Sequence, residues 1–252
     1  MKSPEKVFDE YVEEAKKDPS IIGFFLSGSR GKNRQTKHSD YDIEIVVKDE
    51  DVKSYKKKYK KLSRFPFGFS VFALSEFKTH AERGSPFEWN RPSYTYINAI
   101  IDKTGEIQKL IEQKGKIPKS EIKKHISGHL DGYINHVYRS LKCLRDENPI
   151  GARKEASRSI HTFLDIIFAL EGRHVPYYKY LEWELKAHPL KKFRMHPNEI
   201  TGSILKILET ADVKTQQKLF DAVEKIFRKE GYGKVFDSWS PEQIKFIKTL
   251  KR

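Results

Sequence analysis

Leu26-Ser27-Gly28-Ser29-Arg30-Gly31-Lys32-Asn33-Arg34-Gln35-Thr36-Lys37-His38-Ser39-Asp40-Tyr41-Asp42-Ile43-Glu44-Ile45-Val46-Val47 is the stretch whose reading decides the fold. It closes a short apolar run at 21–26, which reads as a buried strand. A polar loop runs from Ser27 to Ser39, and residues 41–47 alternate as a second strand. Gly28 allows a tight turn and close approach of a ligand to the backbone. Ser29 offers a hydroxyl, and the N–H groups of such a turn can hold phosphate oxygens. Arg30, Lys32 and Arg34 add positive charge beside it. Asp40 and Asp42 are two apart, so on a strand they share a face, roughly 7 Å from each other. Neighbouring like charges are unfavourable unless a cation neutralises them. Mg²⁺ prefers carboxylate oxygens together with substrate phosphates. Asp is also a poor strand former, so two of them entering an apolar strand point to a role.

Outward from this stretch, the first part of the chain mixes helices and strands. Residues 4–17 carry Val7, Phe8, Tyr11 and Ala15 at helical spacing, stopped by Asp18-Pro19. Residues 50–63 read as an amphipathic helix, 67–74 as a third strand and 94–101 as a fourth. From Pro118 onward only helical patterns occur, at 118–146, 150–171, 177–187, 200–210, 214–230 and 241–250. Mixed elements followed by helices alone imply an α+β chain of two domains. The expected division is a mixed-sheet domain at 1–115 and a helical-bundle domain at 116–252.

Gly28-Ser29 followed by Ser39-Asp40-Tyr41-Asp42-Ile43 resembles the Gly-Ser…Asp-x-Asp signature of the DNA polymerase β-like nucleotidyltransferases. The stretch is similar to that of small antibiotic-modifying members, of the kanamycin and lincosamide type. The resemblance implies a mixed-sheet catalytic domain, a helical domain after it, and Mg²⁺-dependent transfer of a nucleoside monophosphate from an NTP to a hydroxyl, releasing pyrophosphate. It makes Gly28 and Ser29 the phosphate-binding turn and Asp40 and Asp42 the metal ligands. Lys32 falls where some relatives contact phosphate. Lys179, in a segment resembling one in the helical domains of small nucleotidyltransferases, is a further nucleotide-binding candidate. Many relatives add a third carboxylate on a neighbouring strand, whereas Phe67-Gly68-Phe69-Ser70-Val71-Phe72 holds no acid. Glu44, on the face of Asp40 and Asp42, is the expected stand-in, with Glu76 and Glu88 as weaker ones. Glu155 and Asp165 are candidate general bases for the acceptor.

The 252 residues carry a formal net charge of +14, which raises phosphate-bearing partners in general. That surplus is −2 over 1–50, +6 over 51–100 and +10 over 101–252, so it is sparse where the motif lies. The run from Lys53 to Arg64 has seven basic and no acidic residues. Its interleaved tyrosines fit an RNA footprint, but Tyr55, Tyr59 and Leu62 at helical spacing favour a packed stripe with solvated lysines. His125 and His129 are four apart, with His136 seven beyond, but no third ligand stands out along the sequence. No apolar run of membrane-spanning length and no signal-peptide core occur, and the one cysteine, Cys143, cannot form an internal disulfide. A cytoplasmic protein without membrane attachment is expected. P-loop, Gly-x-Gly-x-x-Gly and Gly-x-Ser-x-Gly motifs are absent. The expected acceptor is a small hydroxylated molecule, with transfer to protein or RNA, or a non-catalytic nucleotide-binding protein, as alternatives. A homodimer is allowed.

Overall fold

A computed structural model describes residues 2–251. The chain separates into two compact units, 1–116 and 117–252. The first contains α1 (Pro4–Lys17), β1 (Ile21–Leu26), the single turn α2 (Gly28–Gly31), β2 (Tyr41–Val47), α3 (Val52–Leu62), β3 (Phe67–Ala73), α4 (Leu74–Thr79), β4 (Ala99–Asp102) and α5 (Ile107–Lys114). The strands form one mixed sheet in the order β3-β2-β1-β4. β1 is antiparallel to β2 and β4, and β2 is parallel to β3.

Period-2 alternation along β2 sorts its side chains between two cores. Tyr41, Ile43, Ile45 and Val47 pack with α1 and α3, alongside Val12, Ala15 and Tyr59. Val46 faces the other way, into a core with Phe25, Phe77, Tyr94, Ile107 and Ile111. Asp42 and Glu44 therefore start out on the second face, and the polar end of β2 leads directly into its core.

The expected fourth strand begins too early. Residues 88–94 form a 3₁₀ segment, and Tyr96 has φ +59°, so the ladder starts only at Ala99. Tyr94 and Ile97 gave the apolar signal because they are buried, but they fill the second core from a bend. The short helices α4 and α5 lie outside the helical patterns expected in this unit.

The second unit is helical: α6 (Lys119–Arg145), α7 (Pro149–Leu170), α8 (Tyr178–Ala187), α9 (Pro197–Thr210), α10 (Val213–Phe227), α11 (Gly233–Asp237) and α12 (Pro241–Thr249). α6 and α7 are antiparallel neighbours. Ser140 donates to the Ala152 carbonyl and His136 meets Glu155, a pairing that runs backwards along the two helices. One continuous core includes Tyr133, Phe163, Phe168, Phe220 and Phe227, and each of the phenylalanines is worth about 1.5–3 kcal/mol on burial. α10 runs into a π-helical turn at Arg228–Tyr232 where Gly231 takes φ +89°. This turn shortens the helix expected to reach residue 230. The α+β mixed sheet followed by helices is the fold class the sequence implied.

Candidate active site

The turn after β1 is built around two glycines. The Ser27 N–H donates to the Asp42 carbonyl at 2.9 Å, tying the turn to β2. Gly28 follows with φ +58°, and a Cβ there would lie 2.0 Å from Asp42 Oδ2. No side chain fits, so the Asp42 carboxylate sits against bare backbone. Gly31 is equally constrained, since a Cβ would lie 2.2 Å from the Leu26 carbonyl oxygen. Ser29 is half-buried within α2, and its carbonyl accepts the Arg34 N–H at 2.7 Å. The structure thus brings Gly28 and Asp42 into contact, and Ser29 is next to them in the chain.

The basic residues of the loop serve it in part as fasteners. Arg30 Nε donates to the Asp40 carbonyl at 3.0 Å and Nη2 to the Ser39 carbonyl at 3.2 Å. Its guanidinium lies 3.6 Å from the Tyr41 ring centroid, a cation–π contact. Arg30 thereby fixes the backbone at Asp40, whose side chain remains exposed. Lys32 corrects an expectation. It is 4% exposed, and Nζ donates to the Pro92 carbonyl at 3.1 Å and to the Thr95 carbonyl. It pins the 3₁₀ segment to the turn, because a buried ammonium requires such acceptors, and it is not an exposed phosphate contact.

Glu44 lies two residues beyond Asp42 on the same face but is 5% exposed. It accepts from Tyr94 Oη at 3.3 Å and from the Ser27 hydroxyl. Burial pushes its carboxyl from 4.5 up to about 7, with the Asp42 charge adding to the rise. These contacts make it a support behind the turn rather than a water-facing third ligand. Nor does β3 supply one, because its register sets Gly68 beside Asp42 and Ser70 beside Glu44. Glu76 caps α4 and pairs with Lys56, while Glu88 accepts the Gly84 N–H and meets Arg83. Both are engaged by local structure. The sequence reading missed Ser27 and Tyr94 as partners of Glu44. Ser27 carried a signal, as a hydroxyl at the strand end, but Tyr94 lies fifty residues on and carried none.

A stability test follows for Glu44. Its folded pKa is raised, so the folded chain holds a proton between about pH 4.5 and 7 that the unfolded chain has lost. Stability falls as pH rises through that window, by at most about 3 kcal/mol. In thermal melts with EDTA, Glu44→Gln is expected to match wild type near pH 4.5 and to exceed it above pH 7. A difference that does not grow with pH would contradict the buried-acid description.

In the second unit, Lys179 is exposed on the first turn of α8, with Nζ 4.8 Å from the Tyr180 ring centroid. α8 is anchored by Arg173, which meets Glu184 at 2.7 Å and the His188 carbonyl at 2.8 Å. Glu155 is held by His136 Nδ1 at 2.8 Å and Arg139 Nε at 3.4 Å. Asp165 faces His129 and His161. The two candidate bases are both drawn into pairs with cationic or imidazole groups.

The basic helix resolves toward packing. Tyr59 is buried, Tyr55 Oη donates to Asp18 at 2.5 Å, and Leu62 packs on the first core. The tyrosines point inward, leaving no aromatic platform among the lysines. No helix among the described residues is long and apolar enough to cross a membrane.

Residues 1–85 match the family model described as streptomycin adenylyltransferase. No curated protein matches the chain. Among solved structures, the nucleotidyltransferase-like protein from Exiguobacterium sibiricum 255-15 is similar at 11% identity and a TM-score of 0.39. That likeness covers 96% of this chain and 76% of that one. The family match, rather than this distant likeness, bears out the resemblance read from the motif. The Gly-Ser turn seated against the Asp-x-Asp strand lies inside the matched residues, so the amino-terminal third of the chain is similar to the streptomycin adenylyltransferase family.

Proposed function

We propose that the chain transfers a nucleoside monophosphate from an NTP to a hydroxyl of a small aminoglycoside- or lincosamide-like molecule, with Mg²⁺, releasing pyrophosphate. The observation that carries this reading is the Asp42 carboxylate lying against the glycine-only turn at Gly28. A phosphate held by that turn would lie beside the carboxylates. The adenylyltransferase description of the matching family favours ATP as the donor. Residues 1–115 would form the catalytic domain and 116–252 the helical one.

The donor set fits a hard divalent ion, because Asp40 and Asp42 offer only oxygens and substrate phosphates would complete the shell. Such an ion would supply charge neutralisation at the attacking and leaving oxygens. Gly28 and Ser29 would cradle phosphate through backbone N–H and hydroxyl, while Glu44 holds Ser27 and so the turn. Lys179 would add charge toward phosphate.

A cavity of about 600 Å³ in the helical unit is lined by Arg158, His136, His161, Tyr178, Leu181 and Leu208 among others, and by no carboxylate. Its size suits a small molecule. In the test, α-labelled ATP and the other NTPs are incubated with Mg²⁺, full-length protein, and aminoglycoside and lincosamide panels. Label is expected on an acceptor of one of these classes, and no transfer above that of Asp40→Asn/Asp42→Asn would overturn the reading.

A further inference from the structure

The α6–α7 hairpin holds a second constellation. His125 and His129 lie one turn apart on α6 with rings stacked at 4.1 Å between centroids. On α7, Asp165 Oδ2 lies 3.8 Å from His129 Nε2 and 3.5 Å from His161 Nε2. One ligand atom from each of His125, His129 and Asp165 lies within 4.8 Å of the other two. Residues four apart share a helix face, so two such pairs, 125/129 and 161/165, meet across antiparallel helices. The third ligand invisible along α6 comes from its neighbour.

The outer contacts set the rings in a metal-ready state. His129 Nδ1 is 2.8 Å from the His125 carbonyl oxygen. A carbonyl only accepts, so Nδ1 carries the proton and Nε2 of the neutral ring keeps its lone pair toward Asp165. His161 Nδ1 is 2.8 Å from Tyr178 Oη, which fixes the ring with Nε2 on the same carboxylate. A backbone carbonyl on the remote nitrogen, as at His129, is a usual outer partner of a metal-bound imidazole.

We propose that His125, His129 and Asp165, with His161 as fourth ligand, bind a borderline divalent transition-metal ion of the zinc class. Ligand atoms of a tetrahedral zinc site are roughly 3.4 Å apart, given bonds near 2.0–2.1 Å. The 3.5 and 3.8 Å separations approach that spacing, and the widest in the trio must close by roughly 1.4 Å. Three imidazoles and one carboxylate suit zinc, cobalt or nickel and not Mg²⁺, which prefers oxygen ligands. The ion clamps α6 to α7 without using Asp40 or Asp42, and His161 and Tyr178 also line the cavity of the helical unit.

The test uses full-length protein and Co²⁺ as a spectroscopic probe, followed by Zn²⁺ displacement. One equivalent of Co²⁺ is expected to give intense four-coordinate visible absorption, bleached by Zn²⁺, with a raised melting temperature in Zn²⁺. Asp165→Asn is expected to weaken Co²⁺ binding at least about 100-fold, and His129→Gln likewise. Exposed His161→Asn serves as a ligand variant with little risk to folding. Asp40→Asn/Asp42→Asn should leave the intense band in place. Only weak octahedral-type absorption, or an intense band that survives both Asp165→Asn and His161→Asn, would overturn the proposal. Either result would mark the cluster as a hydrogen-bonded ion-pair network.

Discussion

Asp42→Asn is expected to cut NTP-dependent pyrophosphate release by about 10³-fold or more, equivalent to about 4 kcal/mol of lost transition-state stabilisation. The fold should survive, since Asn has nearly the same shape and Asp42 is only half-buried. A second readout comes from Glu44, whose carboxyl is held up partly by the Asp42 charge. Removing that charge should lower the Glu44 pKa and shift the loss of stability with pH to lower pH. Melting curves at several pH values, run beside the pyrophosphate assay, check both. Activity within about tenfold of wild type would remove Asp42 from the proposed catalytic role.

Gly28→Ala is expected to be nearly as damaging, and by a different route. The positive φ alone costs about 1 kcal/mol with any Cβ. The added methyl would also lie 2.0 Å from Asp42 Oδ2, so the carboxylate must rotate away or the turn must shift. Either movement separates the proposed phosphate turn from the strand proposed to bind the metal. A fall of roughly 10²-fold in kcat/KM is expected, with a melting temperature lowered by several degrees. The two substitutions act on one contact, so the Gly28→Ala/Asp42→Asn double variant should lose far less than the product of the single effects. Full additivity in that cycle would show that the Gly28–Asp42 contact plays no part in the reaction.

Much of the first unit was readable because β2 obeys period 2 so cleanly. Tyr41, Ile43, Ile45 and Val47 form one apolar face, and any strand with that pattern buries it. The same alternation sent Asp42 and Glu44 to the opposite face. Alternation does not say how deep each position lies, so two acids with one facing received opposite environments. Asp42 is half-buried on a glycine, while Glu44 is sealed under Tyr94 and Ser27. Lys32 shows the same gap. Its basic character fitted a phosphate loop, yet its ammonium serves carbonyls sixty residues ahead.

The helical unit follows that division. Apolar spacing located α6 and α7 to within a residue or two, because helix periodicity is a local property of the chain. It left His125 and His129 without a third ligand, since Asp165 and His161 join them only when the hairpin closes. Local order, the identity of the motif and the charge of its loop are properties of neighbouring residues, and the chain alone carried them. Burial, proton affinity and metal-ligand grouping depend on what long-range packing brings from distant positions, so only the folded protein decided them.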